Sequence, residues 1–479
     1  MFKPLFSLIA GSLLVAGCTT VGPDYQRPAL DLPTTIAQPS TLLSSASTME
    51  WRTWWKSFND PVLDQLLDEA AANNQDLQLA AGRIEEARSA VSIADSERYP
   101  SVDASVSETR SRRSQNTGQI PPSISPINQI THVGLTAAWE IDFWGKFRRA
   151  DEAARARLLA QETSRGAVLS TLYASVAQNY FALRAYDAQV VVADTALKTR
   201  QDNLRLQQKR LNAGSISALD MHQAESEVAA AEIIQAQARQ AVANTEAVLA
   251  VLLGRSPTAI SAPVIARGAP IDMLYTHLIL PADLPADLVN RRPDILAAEQ
   301  TLRAANADIG QARAQYFPSI KLTSGIGYES NAFKDLINPA SMLWNLGANL
   351  VQPLFRAGAI GAVVSGARAR ETQARAQYVS SVQNAFKDVH DALTNLAASE
   401  QIYSASTRRA SALTDSLRLA TLRYNNGYSS YLDVLSAQRD LLQIQSSRID
   451  AQRTQLASMV ALYKALGGGW DKPQDETLH

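Results

Sequence analysis

The chain has 479 residues, 46% of them hydrophobic, and its 45 Lys and Arg nearly balance 46 Asp and Glu. That balance leaves no basic excess to support a nucleic-acid partner, and a single cysteine excludes an internal disulfide framework. Length alone suggests about three domains, but an internal repeat argues for one intertwined unit.

Residues 1–17 read as a signal peptide: Lys3 supplies the positive start, Leu5 to Ala16 is apolar, and Leu14-Val-Ala-Gly-Cys18 places small residues before the cysteine. The ending resembles a bacterial lipoprotein signal, which implies a lipid on Cys18 as the first mature residue. Thr19 in place of Asp then fits sorting to the outer membrane. Cleavage removes Lys3 alone among charges and leaves 44 basic against 46 acidic residues. Beyond the signal no run of 18 apolar residues occurs, so no transmembrane helix is expected. Residues 18–59, rich in Pro, Ser and Thr to about 50, are expected to form an extended tether.

Asp60-Pro61 starts a helix, with Asp as N-cap and Pro in the first turn, and the apolar spacing carries it to about Arg98. At Pro100 the period changes from helical to two. Val102, Ala104 and Val106 alternate with polar residues, and the alternation resumes from Val133 through Leu135, Ala137, Trp139 and Ile141 to Phe143. A helical pattern without proline then runs from about Lys146 to Leu211. The second half does the same: Ile320, Leu322, Ile326 and Tyr328, then Met342, Trp344, Leu346, Ala348 and Leu350, then a helix from about Gly361 to Tyr424. Helices of this length, roughly 90–100 Å, carry charges every few residues, which excludes a membrane span. Leu197, Leu204 and Leu211 recur every seven residues, as do Leu417 with Tyr424 and Leu435 with Leu442, so coiled-coil-like packing is expected.

Each long helix ends in the same motif. Arg210-Leu-Asn-Ala-Gly-Ser-Ile-Ser-Ala-Leu-Asp220 returns 213 positions later as Arg423-Tyr-Asn-Asn-Gly-Tyr-Ser-Ser-Tyr-Leu-Asp433. A period this large is no short solenoid unit. It divides the chain into residues 60–255, with a strand pair at about 100–144 and a tip near 214, and residues 285–466, with a strand pair at about 318–355 and a tip near 427. Residues 256–284 link the two, and 467–479 are a tail. Gly214 and Gly427 supply the left-handed conformation that ends a helix.

Four strands, each with one apolar and one polar face, fit a sheet laid on a helix or a membrane barrel. In lipid an open sheet edge leaves backbone groups unpaired, so only a closed barrel survives. Two chains would give eight strands and a filled interior; three would give twelve and a lumen, which a conducting function favours.

Several motifs carry a resemblance. Val21-Gly-Pro-Asp-Tyr-Gln-Arg-Pro28, Trp54-Trp55-x-x-Phe58-x-Asp60-Pro61-x-Leu63, Trp139-Glu-Ile-Asp-Phe-Trp-Gly145, Arg291-Arg-Pro-Asp-Ile295 and Leu462-Tyr-Lys-Ala-Leu-Gly-Gly-Gly-Trp470 stand in order along the mature chain. Together they resemble an outer membrane factor of the TolC/OprM type, in the lipoprotein branch that serves multidrug efflux. The resemblance implies an α+β membrane protein: a homotrimer with a twelve-stranded outer-membrane β-barrel continued by a periplasmic α-helical barrel. It further implies a periplasmic adaptor and an inner-membrane transporter of the RND class as partners, outer-membrane lipid around the barrel, and export of drugs or other small toxic compounds.

The resemblance also assigns sites. The two tips would contact the adaptor, through Arg210, Gly214, Ser217 and Leu219 and through Arg423, Gly427 and Ser430. The periplasmic gate would lie just inside the second tip, at Leu432, Asp433, Ser436 and Arg439, with Arg439 tied to a carboxylate such as Asp220. Many relatives carry Asp immediately before Ala-Gln-Arg; Ser436 stands there in this chain, which departs from a cation-binding ring of carboxylates. Nothing in the sequence points to an enzyme or to a cofactor beyond the lipid on Cys18. The five histidines are scattered without metal-ligand spacing, and Gly325-Ile-Gly327 lies on a strand without the rest of a phosphate-binding loop. Two rivals to the efflux duct are a duct for type I protein secretion and a structural coiled-coil lipoprotein.

Overall fold

Capping residues set where the first helices begin and end. Asp60 caps α1 (Pro61–Asn73), its Oδ1 accepting the Val62 amide at 2.9 Å. The single helix expected to Arg98 is in fact two. Asn74 is extended between α1 and α2 (Gln75–Ser96), and its Oδ1 accepts the Asp76 amide at 2.9 Å. A side-chain acceptor at that point competes with the helical ladder, so one helix stops and the next is capped. The computed structural model describes residues 20–33, 35–36, 51–114, 116, 125–274, 284–285 and 290–471, and Cys18 lies outside them.

The chain continues through β1 (Ser101–Arg112), β2 (Ile127–Ile141), α3 (Lys146–Asn212) and α4 (Ala218–Leu252). After α5 (Pro293–Ala314) come β3 (Ser319–Ser330), β4 (Met342–Val351), α6 (Ala359–Asn425) and α7 (Tyr431–Ala465). It divides into two units. One comprises the described part of Met1–Ala29 with Ile84–Gln161 and Ala298–Tyr378; the other comprises Leu30–Arg83, Glu162–Ala297 and Val379–His479.

The first unit holds the sheet, antiparallel throughout in the order β1-β2-β3-β4. Its register puts Ala104 opposite Leu135, Leu135 opposite Ile326, and Ile326 opposite Trp344, so all four apolar series share one face. Asp103, Thr136, Gly325 and Asn345 line up on the other. At the centre Gly134 faces Gly327; a Cβ on Gly327 would lie 2.8 Å from the Gly134 Cα, so the small pair permits this approach. Among the described residues of this unit nothing covers the apolar face: Val106, Trp344 and Leu346 are 77%, 74% and 78% exposed. Among the described residues β1 and β4 each pair with one strand only, leaving two free edges.

Helices of this unit meet through small residues. Ala153 and Ala156 of α3 pack on Ala304 and Ala307 of α5, and Ile309 and Ala312 of α5 pack on Val364 and Ala367 of α6. The segment expected to be a free tether is instead bound here. The Val21 amide donates to the Trp144 carbonyl at 3.1 Å, Asp24 pairs with Arg149 at 2.7 Å, and the Arg27 Nε donates to the Tyr378 hydroxyl at 3.0 Å. Polar side chains at fixed spacing turn a Pro-rich stretch into a strap.

The second unit is helical around an aromatic core. Trp54, Trp55 and Phe58, on a turn at Trp51–Phe58 within the expected tether, are buried with Leu63, Leu67, Tyr180, Phe181, Leu456 and Tyr463. Trp54 stacks on Tyr463 at 5.2 Å between centroids. Asp60 is almost fully buried; beyond its cap it accepts from the Tyr180 hydroxyl at 2.5 Å and the Ala269 amide at 3.2 Å. Burial pushes the Tyr180 phenol well above its ordinary range, and the hydrogen bond to Asp60 adds to the shift. The Arg292 guanidinium is buried as well, between Asp294 at 2.7 Å, Asp388 at 2.9 Å and the Ala465 carbonyl at 3.1 Å. The Asp60, Arg292 and Trp54 motifs thus hold this unit together.

Candidate functional site: the paired hairpin tips

The two repeated turns have one backbone design. Gly214 (φ 71°) and Gly427 (φ 79°) adopt the left-handed conformation. The Ser215 amide donates to the Arg210 carbonyl and the Tyr428 amide to the Arg423 carbonyl, each at 2.9 Å, and closes the end of the preceding helix. Ser217 and Ser430 are then the N-caps of α4 and α7, with Asp220 and Asp433 three residues on. The Asp220 carboxylate accepts the Ser217 amide at 3.1 Å, and the Asp433 carboxylate accepts the Ser430 amide at 3.2 Å. The shared Gly, Ser and Asp of the repeat therefore have a local use: each tip stops one helix and starts the next.

Between the tips the shared Arg210 and several residues that differ between the copies meet. The Arg210 guanidinium donates to the Tyr424 hydroxyl at 2.7 Å and lies 5.2 Å from its ring centroid. Tyr424 packs 5.5 Å from Tyr431, whose hydroxyl takes a short hydrogen bond from the Asn203 amide. Burial pushes the Tyr431 phenol above its ordinary value. Leu204, Ala224, Leu417, Ala420, Val434 and Leu435 complete a small core from all four helices. Arg210, expected to face a partner, is turned toward the second hairpin.

Above this core sits an ion cluster. Glu227 on α4 is buried, its side chain 6% exposed. It pairs with Arg200 on α3, equally buried, at 3.1 Å, and accepts the Arg439 Nε of α7 at 2.7 Å. Arg200 also donates to the Glu227 carbonyl at 3.0 Å. One carboxylate thus ties three helices. The expected partner of Arg439 was Asp220; within the chain that role belongs to Glu227, because Asp220 is held by its own cap. Asp220 and Glu227 lie seven residues apart, two turns along one helix. The sequence held a sign of this: Glu227 falls three residues after Ala224 and four before Ala231, on the buried seam of α4.

The remaining gate candidates share the opposite face of α7. Leu432, Asp433, Ser436 and Arg439 are exposed, whereas Tyr431, Val434, Leu435 and Ala437 are buried. Leu219, Tyr428 and Leu432 are apolar side chains left exposed at the tips, at 66%, 77% and 56%. The structure brings the guanidinium of Arg439 and the tyrosine pair into one assembly and leaves Leu432 and Ser436 outside it.

A family model described as outer membrane efflux protein matches residues 66–255 and 284–468. The cation efflux system protein CusC of Escherichia coli O6:H1 is 34% identical over 464 residues, covering 96% of this chain and 98% of its own. The toluene efflux pump outer membrane protein TtgI of Pseudomonas putida is 35% identical over 487 residues, covering 98% of this chain and 99% of its own. The crystal structure of the CmeC outer membrane channel of Campylobacter jejuni shares the fold, with a TM-score of 0.89 at 24% identity over 95% of this chain and 96% of that one. The chain belongs to the outer membrane efflux protein family and is an exit duct of the outer membrane.

Proposed function

We propose that this duct works as a homotrimer, lipid-anchored through Cys18, that accepts drugs or other small toxic compounds from a periplasmic adaptor and an inner-membrane RND transporter. The observation that carries the trimer is the sheet: an uncovered apolar face flanked by two unpaired edges. In hydrocarbon each unpaired backbone group costs several kcal/mol, so the edges must close on further copies. Three copies give twelve strands with the apolar face in lipid and the glycine- and serine-rich face on a lumen. A duct of this kind is not where substrates are chosen. Relatives named for a cation pump and for a toluene pump share one architecture with this chain, which supports selection upstream.

The tips are the periplasmic mouth. The resting duct is closed because Glu227 holds α7 against α3 and α4 through Arg439 and Arg200. The exposed Leu219, Tyr428 and Leu432 offer the adaptor an apolar contact that competes with this lock. Opening needs no chemistry in the chain; work done upstream must separate the exposed Arg439 from the buried Glu227.

Single-channel recording of the full-length protein in a planar bilayer tests both parts. The wild type is expected to show a small conductance and Arg439→Ala a larger one. No conductance from a folded trimer would overturn the duct, and unchanged conductance in Arg439→Ala would overturn the lock. Deletion of the gene is expected to raise drug susceptibility; loss of a secreted protein with susceptibility unchanged would reassign the duct to protein secretion.

A further inference from the structure

Strand β1 does not end where its apolar series ends. Val102, Ala104 and Val106 lie on the apolar face, and the same two-residue period continues as Glu108, Arg110 and Arg112. Across from these, β2 changes for two of the three: Thr131 stands opposite Glu108 and Gln129 opposite Arg110, whereas Ile127, opposite Arg112, stays apolar. The β1–β2 hairpin also outruns its neighbour, since β3 ends at Ser330 opposite Thr131. The Arg113 amide bonds the Pro126 carbonyl at 2.8 Å and extends the arm one step further.

The arm is positively charged on its outward face. Glu108 accepts from the Gln129 side chain at 2.6 Å. Among the described residues no carboxylate pairs with Arg110, Arg112 or Arg113, and positions 114–126 of the sequence contain no acid. Arg110 and Arg112 lie four and six residues beyond Val106, roughly 13 and 20 Å along the strand. With a strand tilt of about 40° that rise reaches through the polar layer that borders a hydrocarbon core about 30 Å thick. The arm lies at the strand ends away from the helices, which on the channel reading is the outer surface.

We infer that Arg110 and Arg112 form a binding site for the phosphate groups of outer-leaflet lipid, a basic clamp on the outside of the barrel. Two guanidiniums on one strand face, about 7 Å apart along the chain, suit a lipid that carries more than one phosphate, because each fork takes two oxygens. The clamp fixes the height of the barrel in the membrane: the apolar band below it sits in hydrocarbon, and the arm cannot sink without burying charge. This inference rests on the channel reading, since the apolar face must be the lipid face.

The test uses the purified full-length protein in neutral detergent, titrated with bisphosphorylated lipid A and followed by native mass spectrometry. The wild type is expected to retain lipid, and Arg110→Ala with Arg112→Ala to bind it about thirtyfold more weakly. Arg110→Lys with Arg112→Lys is expected to keep most of the binding, which guards against a folding defect. Millimolar inorganic phosphate should not displace the lipid; displacement would reassign the site to the free anion. Equal retention by wild type and the double alanine variant would overturn the clamp. Planar-bilayer conductance is measured on the same samples. A conducting double variant without lipid supports the clamp, whereas a wild type without conductance fails the channel reading instead.

Discussion

The two hairpin tips are copies in backbone and strangers in content. Both close a helix on a left-handed glycine and open the next with a Ser–Asp cap. From there they diverge. The first hairpin supplies Arg200, Arg210 and the buried Glu227; the second supplies Tyr424, Tyr431 and Arg439. At the position matching Glu227 the second hairpin has Asp440, which is exposed. Apart from the Arg shared as Arg210 and Arg423, a duplicated unit has thus kept the residues that fold each tip and exchanged those that join the tips, so that the copies complement each other.

The largest expected break in this comparison is Glu227→Gln. It leaves the buried Arg200 without its counter-charge, a loss of about 3–5 kcal/mol, read as faster hydrogen exchange in the tips and raised conductance. Asp440→Asn, the matched change in the second hairpin, should move neither; equal effects would show that burial of Glu227 is not what matters. Next come Gly214→Ala and Gly427→Ala. Each forces an L-residue into the left-handed region at about 1–2 kcal/mol, with open space around both positions, so the two should cost the same. A marked inequality in thermal melting would break the claim of one backbone design.

Smaller still is Tyr431→Phe, which removes the hydrogen bond from Asn203 and should cost about 1 kcal/mol. The first hairpin has Ala218 at that position and no counterpart to lose. The last prediction concerns pH. Burial raises the Tyr431 phenol above its unfolded value near 10. A raised folded pKa means the neutral phenol is favoured by folding, so its contribution is complete below about pH 10 and is lost as pH rises through the folded value. Conductance should therefore rise at alkaline pH in the wild type. That part of the rise should vanish in Tyr431→Phe, and its persistence there would discard Tyr431 as the titrating group.

Much of this was legible residue by residue, and the misses have a common cause. Strand periods, long helices, the Asp60–Pro61 start and both glycine turns depend on neighbours within a few positions. Asn74 broke a helix expected to be continuous because its side chain caps locally, a choice that apolar spacing does not report. The strap at Val21–Arg27 has the composition of a tether, and its anchors, Trp144, Arg149 and Tyr378, lie more than a hundred positions away. Proximity to the tip suggests Asp220 as the partner of Arg439, whereas its carboxylate is committed to Ser217.

The elements, the duplication and the two-faced character of every strand are written in the amino-acid order, since each follows from side-chain period and backbone preference along a short stretch. Which residues of distant segments share a place follows from the packing of the folded chain. The register aligned four apolar series on one face, because a slip by one residue would have turned a series over. It also put Glu227 between Arg200 and Arg439, because a buried carboxylate takes whatever cations the packing of three helices brings within reach.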